Sequence, residues 1–191
     1  MTNDTSPWWQ EEFPVNDEVL YLNHAAVAPW PESARVAVSE FAMENTAYGA
    51  TNYPQWTQTE QSLKDNLCQL IDAPQGSVAL VKNTSEALSF VAAGIDWKPG
   101  DVVVISDQEF PSNRIVWESL AALGVEVVSV SLPWDAPERE LLRAIAQKPK
   151  LVSVSAIQYA TGLTLDLLSI GAACRENGVL FCVDAIQAVG V

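Results

Sequence analysis

From residue 77 onwards, short apolar runs alternate with segments in which apolar residues recur at helical spacing. The apolar runs predict strands at Val78–Val81, Val102–Ser106, Glu126–Val130, Leu151–Ser155 and Val179–Val183. The segments between them predict helices near Ser85–Ala93, Asn113–Leu123, Pro137–Gln147 and Leu167–Asn177. Because parallel strands need long crossover connections, this alternation predicts an α/β fold with a mainly parallel sheet and helices on both faces.

The first 76 residues have a different pattern. After a polar, Trp-containing lead-in, the short apolar piece Val19–Leu22 runs into Asn23, His24 and an Ala-rich turn. A helix is predicted over Glu32–Ala47, opened by Pro31, and a second over Gln55–Ile71. We therefore predict an N-terminal segment, 1–76, whose two helices pack on a large α/β domain, 77–191.

Charge and cysteine content narrow the class of protein. With 24 acidic and 10 basic residues, the net charge of −14 repels nucleic acid and anionic membrane surfaces, so neither is expected as a partner. The three cysteines have no metal-type spacing, and the chain shows neither a signal-peptide pattern nor a membrane-spanning run. A soluble cytoplasmic protein without a bound metal is the resulting expectation.

The segment Val179–Val191 carries the most specific chemical signal. Asp184 follows a buried parallel strand, and Gln187 comes about one helical turn later. Open α/β sheets bind ligands beyond the carboxyl ends of their strands, so this placement suggests a cofactor whose ring carries a cation. The alternative is that Asp184 only caps a helix beginning near Ala185.

Two loops offer further candidates. Thr84 and Ser85 open a predicted helix, where free N–H groups and the helix dipole favour a phosphate, although Asn83 and Glu86 also fit a capping box that needs no ligand. Phe110 precedes a proline in the loop after a strand and could stack on a planar ligand or simply pack in the core.

The order of these signals, together with the phrases YLNHAAVAP, NTSEAL, PGDVVVISDQEFPSN and VDAIQAVG, resembles the class V aminotransferases, which are fold-type I pyridoxal-phosphate (PLP) enzymes. The group includes cysteine desulfurases, selenocysteine lyases, isopenicillin-N-epimerase-like proteins and kynureninases. The resemblance spans nearly the whole chain and implies a truncated form of the large PLP-binding domain.

The resemblance also implies roles for individual residues. Thr84 and Ser85 would bind the cofactor phosphate, and Phe110 would stack on the pyridine ring where desulfurases usually carry a histidine. Asp184 would pair with the ring nitrogen and Gln187 with the phenolic oxygen, near which Gln158 or Tyr159 would also lie. Asn23 and His24 match the segment that lines the substrate pocket, although a lone histidine is more often a hydrogen-bonded structural residue.

One expected element is missing. In the family, the Schiff-base lysine follows the Asp–Gln pair after a further strand, so it would lie beyond residue 191, as would the small C-terminal domain. The implied function is therefore that of a truncated family member, acting on a small amino acid as a homodimer or with a completing C-terminal fragment, and inactive alone. A non-catalytic PLP-binding or partner-completing subunit is the alternative; a nucleotide-binding domain is disfavoured because no Gly-rich fingerprint is present.

Overall fold

The computed structural model describes residues 8–14 and 19–190. Residues 1–7 and 15–18 of the lead-in, and Val191 at the end of the VDAIQAVGV phrase, lie outside the described residues. The described chain forms two compact units. The first comprises the residues up to 69 together with 73–78, and the second comprises 70–72 together with 79–190.

The first unit is helical. Its helices are α1 (Trp8–Glu12), α2 (Glu32–Tyr48) and α3 (Tyr53–Leu70), the last of which ends at the unit boundary. The two predicted helices are thus confirmed with slightly different ends. A hydrogen bond of 2.9 Å from Trp56 Nε1 to Glu44 Oε1 joins α3 to α2, and the rings of Phe41 and Trp56 meet edge to face.

The second unit contains a four-stranded parallel sheet in the order β2-β1-β3-β4. Its strands are β1 (Val102–Ser106), β2 (Glu126–Val130), β3 (Leu151–Ser155) and β4 (Leu180–Asp184). The prediction of a strand at Val78–Val81 is wrong. That segment has no strand in the structure, and Leu80 and Val81 expose their side chains instead of packing between layers.

A helix precedes each of these strands, as the alternating pattern predicts. These helices are α4 (Thr84–Gly94), α5 (Ser112–Glu118), α6 (Arg139–Ile145) and α7 (Leu167–Asn177). The single helix predicted over Asn113–Leu123 is instead α5 followed by a 3₁₀ turn, Ser119–Leu123, which Gly124 ends in the left-handed conformation. Among the described residues, none of the helices has the length and apolar character needed to cross a bilayer.

Successive strand residues point to opposite faces of the sheet, and each face has its own core. Val103 and Ile105 pack with Trp117 and with residues of α4 on one face. Val104 packs with Ile145 of α6 and with residues of α7 on the other. The predicted architecture, a parallel sheet with helices on both faces, is confirmed.

The strand order creates a switch point between β1 and β3. From β1 the chain passes through α5 on one face to reach β2, whereas from β3 it passes through α7 on the opposite face to reach β4. The loops after β1 and β3 therefore diverge and leave a crevice at the carboxyl edge of the sheet. Crevices of this kind are where open α/β sheets bind their ligands.

Candidate functional site

Asp184 is the last residue of β4, beside the carboxyl end of β3, and is 8% exposed. Its Oδ1 accepts a hydrogen bond of 3.1 Å from the backbone N–H of Ile186, so the side chain does cap the turn that follows. Burial raises the pKa of Asp184, the Ile186 N–H opposes this, and the negative charge of Glu109 raises the pKa further. Asp184 is therefore both a turn cap and a buried acid whose ionised form is disfavoured.

Phe110 lies in the loop after β1, at the crevice. Its ring is 49% exposed, so the core-packing alternative is wrong for this residue. The edge of one ring meets the face of the other in the Phe110–Tyr159 pair, with centroids 5.0 Å apart at 87°. Because Tyr159 belongs to the loop after β3, this contact spans the switch point.

An open cleft of about 340 Å³ lies beside this aromatic pair. The loop after β1 contributes Asp107 and Gln108 to its lining, and the loop after β3 contributes Tyr159 and Thr161. Thr161 Oγ1 donates to Gln108 Oε1 across the cleft at 3.0 Å. The two diverging loops thus form the walls of one concave site.

Sequence reasoning missed the residue that joins these loops. Glu109 is 8% exposed, and its carboxylate accepts hydrogen bonds from both Ser106 Oγ and Ser155 Oγ at 2.6 Å. The amide of Asn113 donates to the same carboxylate at 2.8 Å. An acid beside an aromatic residue in a predicted loop gives no sequence signal for such a network, since its partners lie as many as 49 positions away.

Gln158 is 1% exposed and belongs to this network. Its Nε2 donates to Glu109 Oε1 at 3.2 Å and to the Ser155 carbonyl at 3.4 Å. Its Oε1 has no hydrogen-bond partner within the described part of the chain. A buried acceptor without a donor costs about 1–3 kcal/mol.

Thr84 and Ser85 form the first turn of α4, as predicted. Asn83 Oδ1 accepts a 3.0 Å hydrogen bond from the Glu86 N–H, and Glu86 Oε2 accepts one of 2.6 Å from the Lys82 N–H. The helix start is thus capped without a ligand, as the capping-box alternative requires. The N–H groups of Thr84 and Ser85 are among those that the helix itself does not use.

Gln187 lies in the turn after β4, in which the Ala188 and Val189 N–H groups donate to the Ala185 carbonyl. Asn23 and His24 belong to the first unit. The Asn23 carbonyl accepts from the Ala26 N–H at 3.2 Å, and His24 packs edge to face on Tyr21, with centroids 5.2 Å apart. The structure therefore places Phe110, Gln158 and Asp184 at one sheet edge, with Gln187 in the next turn, and Asn23 and His24 in a separate unit.

Solved structures share this fold. A variant of the lyase C-DES with glycine covalently linked to its PLP cofactor matches with a TM-score of 0.87 at 22% identity, over 95% of this chain and 50% of that one. An apo cysteine desulfurase from Thermococcus onnurineus NA1 matches with a TM-score of 0.84 at 24% identity, over 95% and 47%. At such identities the likeness defines the class of fold.

The family follows from sequence. The Aminotransferase class-V family model matches residues 20–191, and the chain belongs to this family. Probable cysteine desulfurases from Methanothermobacter thermautotrophicus and Pyrococcus abyssi are 31% and 30% identical, each over 95% of this chain and 47% of the relative. The chain spans about half the length of the curated relatives it matches.

Proposed function

We propose that the carboxyl edge of the second unit binds the ring of pyridoxal 5′-phosphate, and that the chain takes part in reactions of a small amino acid: transamination, β-elimination, desulfuration or epimerisation. One observation carries the proposal. Asp184 is a buried acid at the carboxyl end of a strand, and its pKa is raised by that burial. A buried carboxylate needs a cationic partner, and a protonated pyridine ring supplies one.

Other features of the edge fit this group. The exposed ring of Phe110 offers an aromatic face to a planar heterocycle. The unpartnered Oε1 of Gln158 can accept from a hydroxyl. Thr84 and Ser85 contribute two hydroxyls and two N–H groups at a helix N-terminus, a donor set that suits a phosphate.

Each residue then has a defined task. Asp184 holds a proton on the ring nitrogen, Phe110 packs against the ring, and Gln187 hydrogen-bonds the phenolic oxygen. Thr84 and Ser85 bind the phosphate. When bound, the protonated ring accepts the electron pair released as a bond at the substrate α-carbon breaks.

A non-catalytic PLP-binding subunit, or one that completes its site with a second copy or a separate C-terminal fragment, would use the same edge. Turnover separates these functions. Release of product from an amino acid by the purified chain favours an enzyme complete in itself. Saturable cofactor binding without turnover favours the subunit.

The test is a titration with pyridoxine 5′-phosphate, which retains the ring nitrogen, phenolic hydroxyl and phosphate but has no aldehyde to react with surface lysines. We expect saturable one-to-one binding by calorimetry, weakened about tenfold or more by Asp184→Ala because a charge-assisted hydrogen bond is lost. Asp135→Ala, at an exposed position, should change the affinity by less than about twofold. Binding that is equally strong after Asp184→Ala, or no binding at all, would contradict the proposal.

A further inference from the structure

The proposed function assigns no contact with the ligand to the buried carboxylate of Glu109. It accepts hydrogen bonds from Ser106 Oγ, Asn113 Nδ2, Gln158 Nε2, and both the backbone N–H and the Oγ of Ser155. All these partners are donors, and two of the bonds are as short as 2.6 Å. Each of these contacts uses an acceptor lone pair of the carboxylate.

These partners come from separate elements. Ser106 ends β1, Asn113 lies in the first turn of α5, and Ser155 ends β3. Asn113 is itself held, because its Oδ1 accepts from Trp117 Nε1 at 3.0 Å and from Ser153 Oγ at 2.6 Å. The loop after β1 is therefore tied at both ends to the central strands by one side chain.

The hydrogen bonds of Glu109 lie next to the proposed ring-binding groups. Phe110 is the next residue after Glu109, and its ring reaches Tyr159 on the neighbouring loop. Ser155 pairs with Asp184 across β3 and β4, and the Ala156 N–H donates to the Asp184 carbonyl at 2.9 Å. A movement of Glu109 relative to β3 would shift Phe110 relative to Asp184.

We propose that Glu109 is a positioning residue: its carboxylate fastens the loop that bears Phe110 to the carboxyl end of β3, and so fixes the Phe110 ring beside the strand that ends in Asp184. The inference rests on the proposed function only for the identity of the ligand that benefits. The placement of the ring is a property of the protein without ligand.

A buried network could instead serve folding alone, and the two roles differ in what they change. A residue that only stabilises the fold lowers stability but leaves Phe110 in place in the folded molecules. A positioning residue changes the ring placement in molecules that remain folded. Its effect on ligand affinity then requires the Phe110 ring to be present.

The test is a double-mutant cycle on the full chain with pyridoxine 5′-phosphate as the probe. Glu109→Gln keeps the shape of the side chain but places an NH₂ group against donors. We expect Glu109→Gln to weaken binding about tenfold when Phe110 is present, but by less than about twofold in a Phe110→Ala background. Glu126→Gln, at an exposed position on β2, should leave binding unchanged.

A second readout needs no ligand. In the wild-type chain, nuclear Overhauser effects between the Phe110 and Tyr159 ring protons report their 5.0 Å edge-to-face contact. Glu109→Gln should lose these signals while its other methyl and amide signals stay dispersed, and Glu126→Gln should keep them. If the wild-type chain does not bind pyridoxine 5′-phosphate, the proposed function fails, yet this readout still decides the role of Glu109.

The inference is overturned if Glu109→Gln folds and keeps the Phe110–Tyr159 contact, or if its effect on binding is equal in both backgrounds. If Glu109→Gln does not fold, Ser106→Ala replaces it. That variant removes one donor, at 2.6 Å from Glu109 Oε1, and leaves the others. A partial loss of the ring contact would support the inference, and an unchanged contact would overturn it.

Discussion

At the scale of single residues, the second unit buries two acids, Glu109 and Asp184. Glu109 is compensated by a full set of donors, whereas Asp184 is compensated in part, by one backbone N–H from Ile186. The two acids therefore differ in how completely hydrogen bonds compensate their burial. An acid whose acceptor atoms are all hydrogen-bonded stabilises the surrounding structure, whereas an acid with a raised pKa can still pair with a cation.

Asp184→Asn tests this at the level of stability. The pKa of Asp184 is higher in the folded chain than its ordinary value, so its stabilising contribution is fully present below that ordinary value and is lost as pH rises through the raised one. The amide does not ionise and can still accept from the Ile186 N–H. We therefore expect Asp184→Asn to be more stable than wild type at neutral pH, with the difference shrinking as pH falls through that window.

Urea unfolding at a series of pH values measures this difference. Asp135→Asn, which changes an exposed acid, provides the matched control and should leave the pH profile close to that of wild type. A wild-type chain that is more stable than Asp184→Asn at neutral pH would show that the acid is a structural group.

At the scale of secondary-structure elements, the turns that precede strands β1 and β2 pack closely against each other. Gly124 ends the 3₁₀ turn with φ +77°, and a Cβ placed there would lie 3.0 Å from Pro99 Cβ. The same turn is closed by the Gly100 N–H, which donates to the Gly124 carbonyl at 2.8 Å. The start of β2 therefore depends on a residue without a side chain.

We expect Gly124→Ala to lower the free energy of unfolding by about 1–2 kcal/mol, the cost of a left-handed conformation for an L-residue, with the Pro99 contact adding to it. The matched control is Gly94→Ala in the last turn of α4, where no heavy atom lies within 4 Å of the new Cβ. Helix propensity predicts a gain of up to about 1 kcal/mol there. Equal effects of the two changes in urea unfolding would refute this account of the turn.

The elements show why part of the structure can be predicted from sequence and part cannot. The strands over 102–106, 126–130 and 151–155 have the predicted limits. The first and third are the buried central strands that apolar-rich runs of this length predict, whereas 126–130 lies at the sheet edge and is mostly exposed. The apolar run at 78–81 looks the same locally but has no neighbouring strand, and only tertiary structure decides that. Likewise Asp184 could be found from its position after a strand, whereas Glu109 depends on partners across the sheet.

At the scale of the whole molecule, charge and apolar exposure act in opposite directions. The net charge is −14, yet the first unit exposes large apolar side chains, with Leu20 86% and Leu22 77% accessible. In the second unit, edge strand β4 exposes Leu180. Apolar patches favour association, and like charge opposes it.

We therefore expect self-association that grows with salt, because screening weakens the repulsion between copies. Sedimentation velocity at about 20 mM and about 500 mM sodium chloride should show a larger associated fraction at the higher salt. Leu20→Ser together with Leu22→Ser should reduce that fraction. Thr57→Ser together with Thr59→Ser, at exposed positions of α3, should not. A monomer at both salt concentrations would contradict the expectation.

The proposed pairing of Asp184 with a cationic ring is tested by the protonation state of a ring nitrogen bound beside it. Pyridoxine 5′-phosphate labelled with ¹⁵N in the ring reports this state through its chemical shift. At a pH well above the pKa of the free ligand's ring nitrogen, we expect a protonated nitrogen in the wild-type complex and an unprotonated one with Asp184→Asn. A nitrogen that titrates in the wild-type complex as it does in free solution would contradict the proposed pairing.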